Sequence, residues 1–220
     1  MDIPPVIRDL LRGLPVLAGP LPAFTPESAP PDPEPLFRSW LRGAVAAGVA
    51  EPHATTLSTV DDAGLPDARI VILKELDAHG WQFAGAAGSA KGRQLARRPL
   101  AAMTFHWREL GRQVRVRGPV LPRDADTAAA DFRARPLGAR IAGLAGRQSD
   151  VLADPAALDR AQAAGRRLLA DDPGAVAPGH RVYALRAVEV EFWQGSADRR
   201  HVRLRYRRAG DGWRRDRLWP

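Results

Sequence analysis

The chain has 220 residues, which is long enough for one domain with its own hydrophobic core and short for two ordinary domains. It contains no cysteine, which excludes disulfides, thiolate metal sites and a cysteine nucleophile and fits a reducing compartment. Its formal charge of +8 would suit a nucleic-acid partner. Because Arg, Ala and Pro are abundant along the whole chain, we interpret the charge as a property of the composition and do not expect nucleic acid.

The N-terminal region predicts neither a signal peptide nor a membrane span. The first residues contain several prolines and no basic segment ahead of an apolar run, and no apolar stretch approaches the roughly 20 residues of a spanning helix. We therefore expect a soluble, cytoplasmic protein. Residues 14–35 are too rich in proline for a helix or a central strand, so residues 1–35 are predicted to be an extended leader before a single domain at 36–220.

The predicted domain starts with an amphipathic helix and continues with strands. Apolar residues recur at helical spacing at positions 36, 40, 41, 45 and 49, which predicts a helix that packs on the next part of the chain. From residue 53 the apolar period changes to two. The runs ATTLSTV (54–60), ARIVILKEL (68–76) and WQFAGA (81–86) predict three strands of an antiparallel meander.

The remaining elements complete an α+β pattern. Ser89 is a plausible N-cap for a helix that ends at Pro99, and two strands follow at 100–107 and 112–121. A helical block occupies roughly 124–171, and strand alternation returns at 181–195 and 200–208. Seven or so strands, mostly joined by hairpins, predict a closed or nearly closed antiparallel barrel, because closure removes exposed sheet edges.

Most catalytic motifs are absent, and the remaining candidate residues are cationic and aromatic. The segment GAAGSAKG (85–92) does not match a phosphate-binding loop, but Lys91 in the first turn of a helix is a plausible anion site. The five histidines lack metal-site spacing, so no metal is expected. If residues 199–203 form a strand, Arg199, His201 and Arg203 share one face and could receive a planar anionic ligand.

Six motifs between about Trp40 and Pro220 occur in an order and spacing that resembles the pyridoxamine 5′-phosphate oxidase family. They are RIVILKEL, GSAKGRQLARRP, RQVRVRG, RQSD, EFWQGSADRRHVR and DRLWP. The resemblance implies an FMN-binding split β-barrel with a helical insertion. It also implies a homodimer with two flavin sites at its interface, with 176–220 as the C-terminal dimerisation segment.

The resemblance also implies functional residues. For the flavin these are Arg69, Ile70, Val71, Ile72, Leu73, Lys74, Lys91, Gln113, Gln148, Ser149, Trp193 and Arg203. The substrate phosphate would be bound by Lys74 and Arg135, and the substrate ring by the catalytic pair Arg199 and His201. The implied reaction oxidises pyridoxamine or pyridoxine 5′-phosphate to pyridoxal 5′-phosphate, with O2 as acceptor and H2O2 as product. The resemblance implies FMN as the cofactor, and this oxidation needs such a two-electron acceptor because no side chain provides one.

Several positions depart from the family pattern. Asp131 and Ala139 stand where the family has Tyr and Ser beside its phosphate-binding arginine, which removes two hydroxyl donors and adds a carboxylate. Ala90 replaces the family's basic residue beside the flavin phosphate. Ala84 and Gly85 replace its aromatic-hydroxyl pair after the third strand, and Val202 replaces an aspartate near the catalytic pair. The flavin site is expected to be mostly intact and the substrate-phosphate site altered.

Two alternatives arise from these departures. The proline-rich leader running into LFRSWL also resembles the FMN oxidases of phenazine biosynthesis, which act on tricyclic aromatic carboxylic acids, so an oxidase of an aromatic secondary metabolite is one alternative. The other is a flavin-binding or basic interaction protein without turnover. Only two of the 33 Lys and Arg residues are lysines, and both, Lys74 and Lys91, match phosphate-binding positions of the family.

Overall fold

The computed structural model describes residues 7–220, and residues 1–6 of the predicted leader lie outside this range. The helices are α1 (Ile7–Arg12), α2 (Pro33–Ala46), α3 (Ala90–Arg97), α4 (Ala125–Ala134), α5 (Leu137–Ala145) and α6 (Pro155–Asp171), with short 3-10 turns at Pro26–Ser28 and Arg108–Leu110. The strands are β1 (Ala54–Val60), β2 (Pro66–Asp77), β3 (Gly80–Ala86), β4 (Leu100–Trp107), β5 (Arg112–Pro122), β6 (His180–Leu185), β7 (Glu189–Gln194), β8 (Val202–Ala209) and β9 (Gly212–Leu218).

The contacts of the chain group into two compact units. The first unit contains the residues up to Pro52, then 106–114 and 191–220, and the second contains 53–105 and 115–190. The expectation of one domain at 36–220 and a dimerisation segment at 176–220 stays a prediction.

The second unit contains an antiparallel barrel. Its strands neighbour one another in the order β4-β1-β2-β3-β6-β5, and β4 also pairs with β5, which closes the barrel. Along β1, Thr55, Leu57 and Thr59 are buried at alternating positions, as a strand with one face toward a core requires. Trp81 and Phe83 of β3 are likewise buried. The predicted α+β fold with an antiparallel barrel is therefore confirmed.

Strand β2 contains a β-bulge at Lys74. Leu73 pairs with Phe83 of β3 and Glu75 pairs with Gln82, so two steps along β2 match one step along β3 and Lys74 is the extra residue. A bulge bends its strand and redirects the side chain at the extra position. The side chain of Lys74 therefore does not follow the simple alternation of the strand.

The first unit is built around buried aromatic side chains. Trp40 of α2 contacts Phe24 and Phe192 edge to face at centroid distances of 5.0 and 5.2 Å, and Phe192 contacts Tyr206 at 5.8 Å. The Tyr206 hydroxyl donates to the carbonyl of Pro30 at 2.9 Å. Of the apolar positions predicted for this helix, Leu36 and Trp40 are buried, but Val45 is 62% exposed and Val49 lies beyond the end of α2. Strands β7, β8 and β9 are neighbours in that order.

Three local predictions were wrong. The leader is not fully extended, since α1 and the 3-10 turn Pro26–Ser28 lie in it and α2 already begins at Pro33. Proline is tolerated in the first turn of a helix because that turn needs no N–H donor. The alternating segment 181–195 is two strands with a break at 186–188. There the chain approaches Gly118 so closely that a Cβ on Gly118 would lie 2.0 Å from the Arg186 carbonyl oxygen.

The third wrong prediction concerns the strand at 199–203. Strand β8 begins only at Val202, and Arg199 lies in the preceding turn with φ of 66°. Arg199 and His201 therefore do not share a strand face with Arg203. Within residues 7–220, no helix is long and apolar enough to cross a membrane.

Candidate functional site

The N-terminus of α3 and the loop after α5 form a polar cluster in the second unit. We call Ser89, Lys91, Gln148 and Ser149, together with nearby Arg69, the Lys91 cluster. The Lys91 ammonium donates to Ser89 Oγ at 3.2 Å and to Gln148 Oε1 at 3.1 Å, and the backbone N–H of Ala90 donates to Ser149 Oγ at 3.2 Å. The structure thus brings Lys91 of α3 together with Gln148 and Ser149, which the resemblance gives as further flavin contacts.

Local sequence explains this arrangement. Ser89 is the N-cap of α3, as predicted, and its hydroxyl accepts from the N–H of Gly92 at 3.3 Å. Gly92 is required there because a Cβ would lie 2.3 Å from the carbonyl oxygen of Ala87. The helix start is therefore held tightly against the turn that follows β3, and Lys91 projects from its first turn.

Electrostatically, the Lys91 cluster has excess positive charge. Lys91 is buried, and among the residues that the structure describes no carboxylate pairs with it. Burial, and then the charge of Arg69, lower the pKa of the Lys91 ammonium below its ordinary value. An anion placed here would gain a charge-assisted hydrogen bond and relieve this penalty.

Arg69 of β2 is held by hydrogen bonds and an ion pair. Its guanidinium donates to the Leu57 carbonyl and to Gln94 Oε1, both at 3.2 Å, and forms an ion pair with Asp67. Gln94 also donates to Asp67 at 3.0 Å, and this hydrogen bond lowers the pKa of the Asp67 carboxyl despite an opposing effect of burial. Arg69 is thus oriented by neighbours but keeps a carboxylate close by.

The other predicted flavin residues of β2 lie on both faces of the strand. Val71 is buried, Ile72 and Leu73 are half-buried, and Ile70 is 64% exposed. A flat ligand along this strand would have the exposed Ile70 as apolar surface. No contact in the structure decides the roles of these four residues, so they stay predictions.

A second cluster surrounds the bulge of β2. The Lys74 ammonium lies 3.3 Å from Asp131 Oδ1 of α4, and the other carboxylate oxygen, Oδ2, lies 2.7 Å from His180 Nε2 of β6. We call these three residues the Lys74 cluster. Burial alone would raise the pKa of Asp131, but the hydrogen bond with His180 and the charge of Lys74 outweigh it and lower the pKa. Asp131 is therefore an ionised partner of Lys74.

Arg135 lies near this cluster without joining it. It follows the last residue of α4, and its guanidinium carbon is 5.8 Å from the centre of the Phe132 ring. Among residues 7–220, no carboxylate forms an ion pair with Arg135. Ala139 on α5 is half-buried, and its side chain offers no hydrogen-bond donor. Of the two predicted substrate-phosphate cations, Lys74 has an acidic partner and Arg135 has none in the described part of the chain.

In the first unit, the structure brings Trp193 and His201 together. Their ring centres are 4.9 Å apart, and the backbone N–H of Ser196 donates to His201 Nδ1 at 3.0 Å. Because Nδ1 accepts a hydrogen bond, the neutral imidazole carries its hydrogen on Nε2. His201 therefore presents a donor at Nε2, and acceptance of a proton at Nδ1 would require loss of the bond from Ser196.

Arg199 and Ser149 share a backbone feature although they lie in different units. Their φ angles are 66° and 77°, in the left-handed region that residues with a Cβ rarely occupy. Such strained positions concentrate at functional sites. The turn that holds Arg199 is closed by its own N–H, which donates to the Ser196 carbonyl at 3.1 Å, and Arg199 is exposed to solvent.

The two remaining predicted flavin residues lie on other strands of the first unit. Arg203 of β8 forms an ion pair with the buried Glu191 at 2.7 Å and donates to the Trp219 carbonyl at 3.0 Å. It therefore joins β7, β8 and the C-terminal residues. Gln113 lies half-buried near the start of β5. Neither position tests the predicted flavin contact, which stays a prediction.

Sequence reasoning missed His180 and the pairing of Asp131. Asp131 was identified only as a departure from the family pattern, and His180 was not singled out. Forty-nine positions separate them in the sequence, and no spacing rule relates a helix residue to a strand residue at that distance. The available signal was compositional: an acidic residue on the apolar side of α4 needs a partner when it is buried.

Comparisons with known proteins show to which family this chain is similar. The model of the family described as pyridoxamine 5′-phosphate oxidase matches residues 41–194, and that of the pyridoxine 5′-phosphate oxidase C-terminal dimerisation region matches 180–220. A relative from Pseudomonas paraeruginosa named pyridoxine/pyridoxamine 5′-phosphate oxidase is 45% identical over 195 residues, which are 88% of this chain and 91% of the relative.

Two solved structures are similar to this one. PhzG from Burkholderia lata, in complex with tetrahydrophenazine-1-carboxylic acid, has a TM-score of 0.85 and 31% identity, covering 92% of this chain and 100% of PhzG. A pyridoxamine 5′-phosphate oxidase-related, FMN binding protein from Nostoc punctiforme has a TM-score of 0.68 and 18% identity, covering 84% and 97%. The second likeness concerns the fold alone.

Proposed function

Because this chain belongs to the pyridoxamine 5′-phosphate oxidase family and is an FMN-dependent oxidoreductase, we propose that it oxidises pyridoxamine or pyridoxine 5′-phosphate to pyridoxal 5′-phosphate. O2 is the proposed electron acceptor and H2O2 the proposed second product; with the amine substrate, water also adds to the oxidised carbon and ammonia leaves. The relative from Pseudomonas paraeruginosa, which carries the name of this activity, supports the proposal at 45% identity.

The observation that carries the FMN assignment is the Lys91 cluster. A buried ammonium without a carboxylate partner among the described residues, at the start of a helix and beside Arg69, suits a phosphate group. The FMN phosphate would be held by Lys91 and Arg69, with Gln148 and Ser149 closing the site. These residues fit the cofactor chemically.

When bound, FMN supplies the chemistry that no side chain can, by taking two electrons from the substrate carbon and delivering them to O2. The residues of the chain then have binding and orienting roles. His201, whose Nε2 carries a hydrogen in the neutral ring, would donate to the substrate's hydroxyl or amine. Trp193 packs beside that imidazole and limits its rotation. Arg199 would add positive charge beside an anionic ring substituent.

A second candidate is oxidation of a larger aromatic metabolite of the phenazine type. Two observations favour it. The solved PhzG structure, whose ligand is tetrahydrophenazine-1-carboxylic acid, aligns over its whole length. In addition, the pairing of Lys74 with Asp131 removes one cation from the proposed substrate-phosphate site. A flavin-binding protein without turnover remains the outcome if neither substrate class is oxidised.

We also propose that the protein is a homodimer. The match of residues 180–220 to a C-terminal dimerisation region supports this. Sedimentation equilibrium of the FMN-loaded protein would give about twice the chain mass of 23.9 kDa if the proposal is right. A mass equal to one chain at micromolar concentration would contradict it.

The proposed activity is tested by incubating the FMN-loaded protein with pyridoxamine 5′-phosphate and, separately, with pyridoxine 5′-phosphate. We expect pyridoxal 5′-phosphate and H2O2 in equal amounts, with consumption of O2. The matched control is His201→Gln, which keeps a hydrogen-bonding side chain but lacks the imidazole. Absence of aldehyde and peroxide with both substrates would contradict the proposal, and turnover of a dihydrophenazine carboxylic acid instead would favour the second candidate.

A further inference from the structure

The ion pair between Lys74 and Asp131 is held by contacts on three elements. The Lys74 ammonium comes from the bulge of β2, the carboxylate comes from α4, and His180 of β6 binds the second carboxylate oxygen at 2.7 Å. Both oxygens of Asp131 therefore have partners. The Asp131 side chain is only 16% exposed and that of His180 only 4%.

The helix that carries Asp131 is itself fixed against β6. The neighbouring residue Phe132 is fully buried and its ring contacts that of His180 edge to face at 5.1 Å. Arg140 of α5 places its guanidinium 6.0 Å from the centre of the Phe132 ring. Asp131 is therefore not a mobile surface carboxylate that could turn away from Lys74 at little cost.

A substrate phosphate that bound Lys74 would meet this carboxylate. A phosphate oxygen at hydrogen-bond distance from the Lys74 ammonium would lie roughly 5 Å from Asp131 Oδ1, because both acceptors would surround one nitrogen that lies 3.3 Å from Asp131. Like charges at this separation repel strongly in a partly buried site. Arg135, which has no carboxylate partner among residues 7–220, would still attract the phosphate. The carboxylate therefore offsets much of the attraction that Lys74 supplies, and Arg135 is left as the cation that Asp131 does not neutralise.

We propose that Asp131 is a specificity-determining residue, an internal counter-ion of Lys74 that abolishes most of the preference for a phosphorylated substrate. This chain would therefore bind pyridine substrates that carry an uncharged hydroxymethyl group about as well as their phosphate esters. The inference rests on the proposed function, because it assumes that Lys74 and Arg135 face the substituent of a bound substrate ring.

The test compares binding of 4-deoxypyridoxine and 4-deoxypyridoxine 5′-phosphate to the FMN-loaded protein, followed by the change in flavin absorbance. Neither probe has the oxidisable group or an aldehyde, so binding is measured without turnover. For the unaltered protein we expect the two dissociation constants to agree within about fivefold. A larger preference for the phosphate ester would overturn the inference.

The variants are Asp131→Asn and, as a matched control on the same helix, Asp126→Asn, which removes the same charge from an exposed position. We expect Asp131→Asn to tighten the phosphate ester by about tenfold or more and to leave the unphosphorylated probe within about twofold, whereas Asp126→Asn changes neither. Unchanged or weaker binding of the ester by Asp131→Asn would overturn the inference. The unaltered protein already decides the question if Asp131→Asn does not fold.

Failure of the proposed activity and failure of the inference give different experimental results. If the protein binds both probes equally but oxidises no B6 phosphate, the inference stands and the proposed activity is wrong. If it oxidises the phosphate esters and binds the phosphorylated probe far more tightly, the activity stands and the inference is wrong.

Discussion

The two lysines of the chain lie in opposite electrostatic surroundings. Lys91 is buried beside Arg69 and hydrogen-bonds only to neutral oxygens in the described part of the chain. Lys74 is about one-third exposed and lies 3.3 Å from a carboxylate that is itself fixed by His180. The first arrangement has a charge that an external anion can balance, whereas the second is already balanced.

This difference shows why residue identity alone is a poor guide to phosphate recognition. The sequence resemblance predicts that both lysines bind phosphate groups, and a comparison of residue types would treat them alike. The net charge around each ammonium separates them. A site that has its own counter-ion must give up that interaction before it binds another anion, and this lowers the gain from binding.

The largest expected effect is the loss of FMN affinity when the charge of Lys91 is removed. Lys91→Met keeps the length of the side chain and removes the charge, so FMN affinity should fall by about tenfold to a hundredfold, the contribution of one charge-assisted hydrogen bond of about 1.5–3 kcal/mol. Fluorescence quenching on titration with FMN measures it. Arg97→Met, on the same helix but exposed and paired with Asp62, is the control and should leave affinity within about twofold. Equal effects of the two variants would contradict the role of Lys91.

The position of Lys91 can be disturbed without changing its charge. A Cβ on Gly85 would lie 2.7 Å from Lys91 Cε, so Gly85→Ala should displace the ammonium and weaken FMN binding by about tenfold. Gly88→Ala is the matched control because nothing lies within 4 Å of its Cβ position. FMN affinity is measured by the same fluorescence titration. If both glycine variants bind FMN like the unaltered protein, the predicted role of the Lys91 position is contradicted.

The Lys74 cluster should contribute to the stability of the folded protein. Asp131→Ala leaves the buried His180 imidazole without its partner, and we expect a loss of about 1–2 kcal/mol in the free energy of unfolding, measured by urea titration. Asp126→Ala, at an exposed position of α4, should cost less than about 0.5 kcal/mol. A smaller loss for Asp131→Ala than for the control would show that the pair is not formed.

Acid should remove the contribution of Asp131 to the free energy of unfolding. The pKa of Asp131 is lowered in the folded state, so its stabilisation is fully present above the ordinary value of 3.8 and is lost as the pH falls through the lowered folded pKa. The difference in stability between the unaltered protein and Asp131→Ala should therefore stay constant above about pH 5 and shrink only below pH 3.8. A difference that already shrinks near pH 6 would show that another group titrates.

The smallest expected effect is the pH dependence of FMN binding. The pKa of Lys91 is lowered from 10.5 in the protein without FMN, because the ammonium is buried and lies near Arg69, and a bound phosphate would restore it. Affinity should therefore be constant near neutral pH and decline as the pH rises through the lowered pKa, below 10.5. The decline should be absent in Lys91→Met. Equal slopes for the two proteins would assign it to a different group.

Local features of the fold could be predicted from sequence. Strands β1 and β4 were predicted with their observed bounds, and the N-cap at Ser89 follows from a short-range pattern. The break between β6 and β7 could not be predicted, because it depends on the close approach to Gly118 on another strand. The left-handed turn at Arg199 was also missed, since alternation continues through it in the sequence.

For the candidate site, the resemblance selected every member of the Lys91 cluster except Ser89, but it did not predict the charge balance of the cluster. The bulge at Lys74 depends on the register between β2 and β3, and the contact of Asp131 with His180 joins residues 49 positions apart. These tertiary relations decide whether a lysine is available to a ligand. They appear only when the structure is known.

The most direct test of the central claim is a crystal structure of the protein with FMN and 4-deoxypyridoxine 5′-phosphate bound. We predict that the flavin phosphate lies at hydrogen-bond distance from the Lys91 ammonium. We also predict that Lys74 stays within about 4 Å of Asp131, so that the second phosphate is contacted mainly by Arg135. A Lys74 ammonium that has left Asp131 to bind the second phosphate, or a flavin phosphate away from Lys91, would contradict the account.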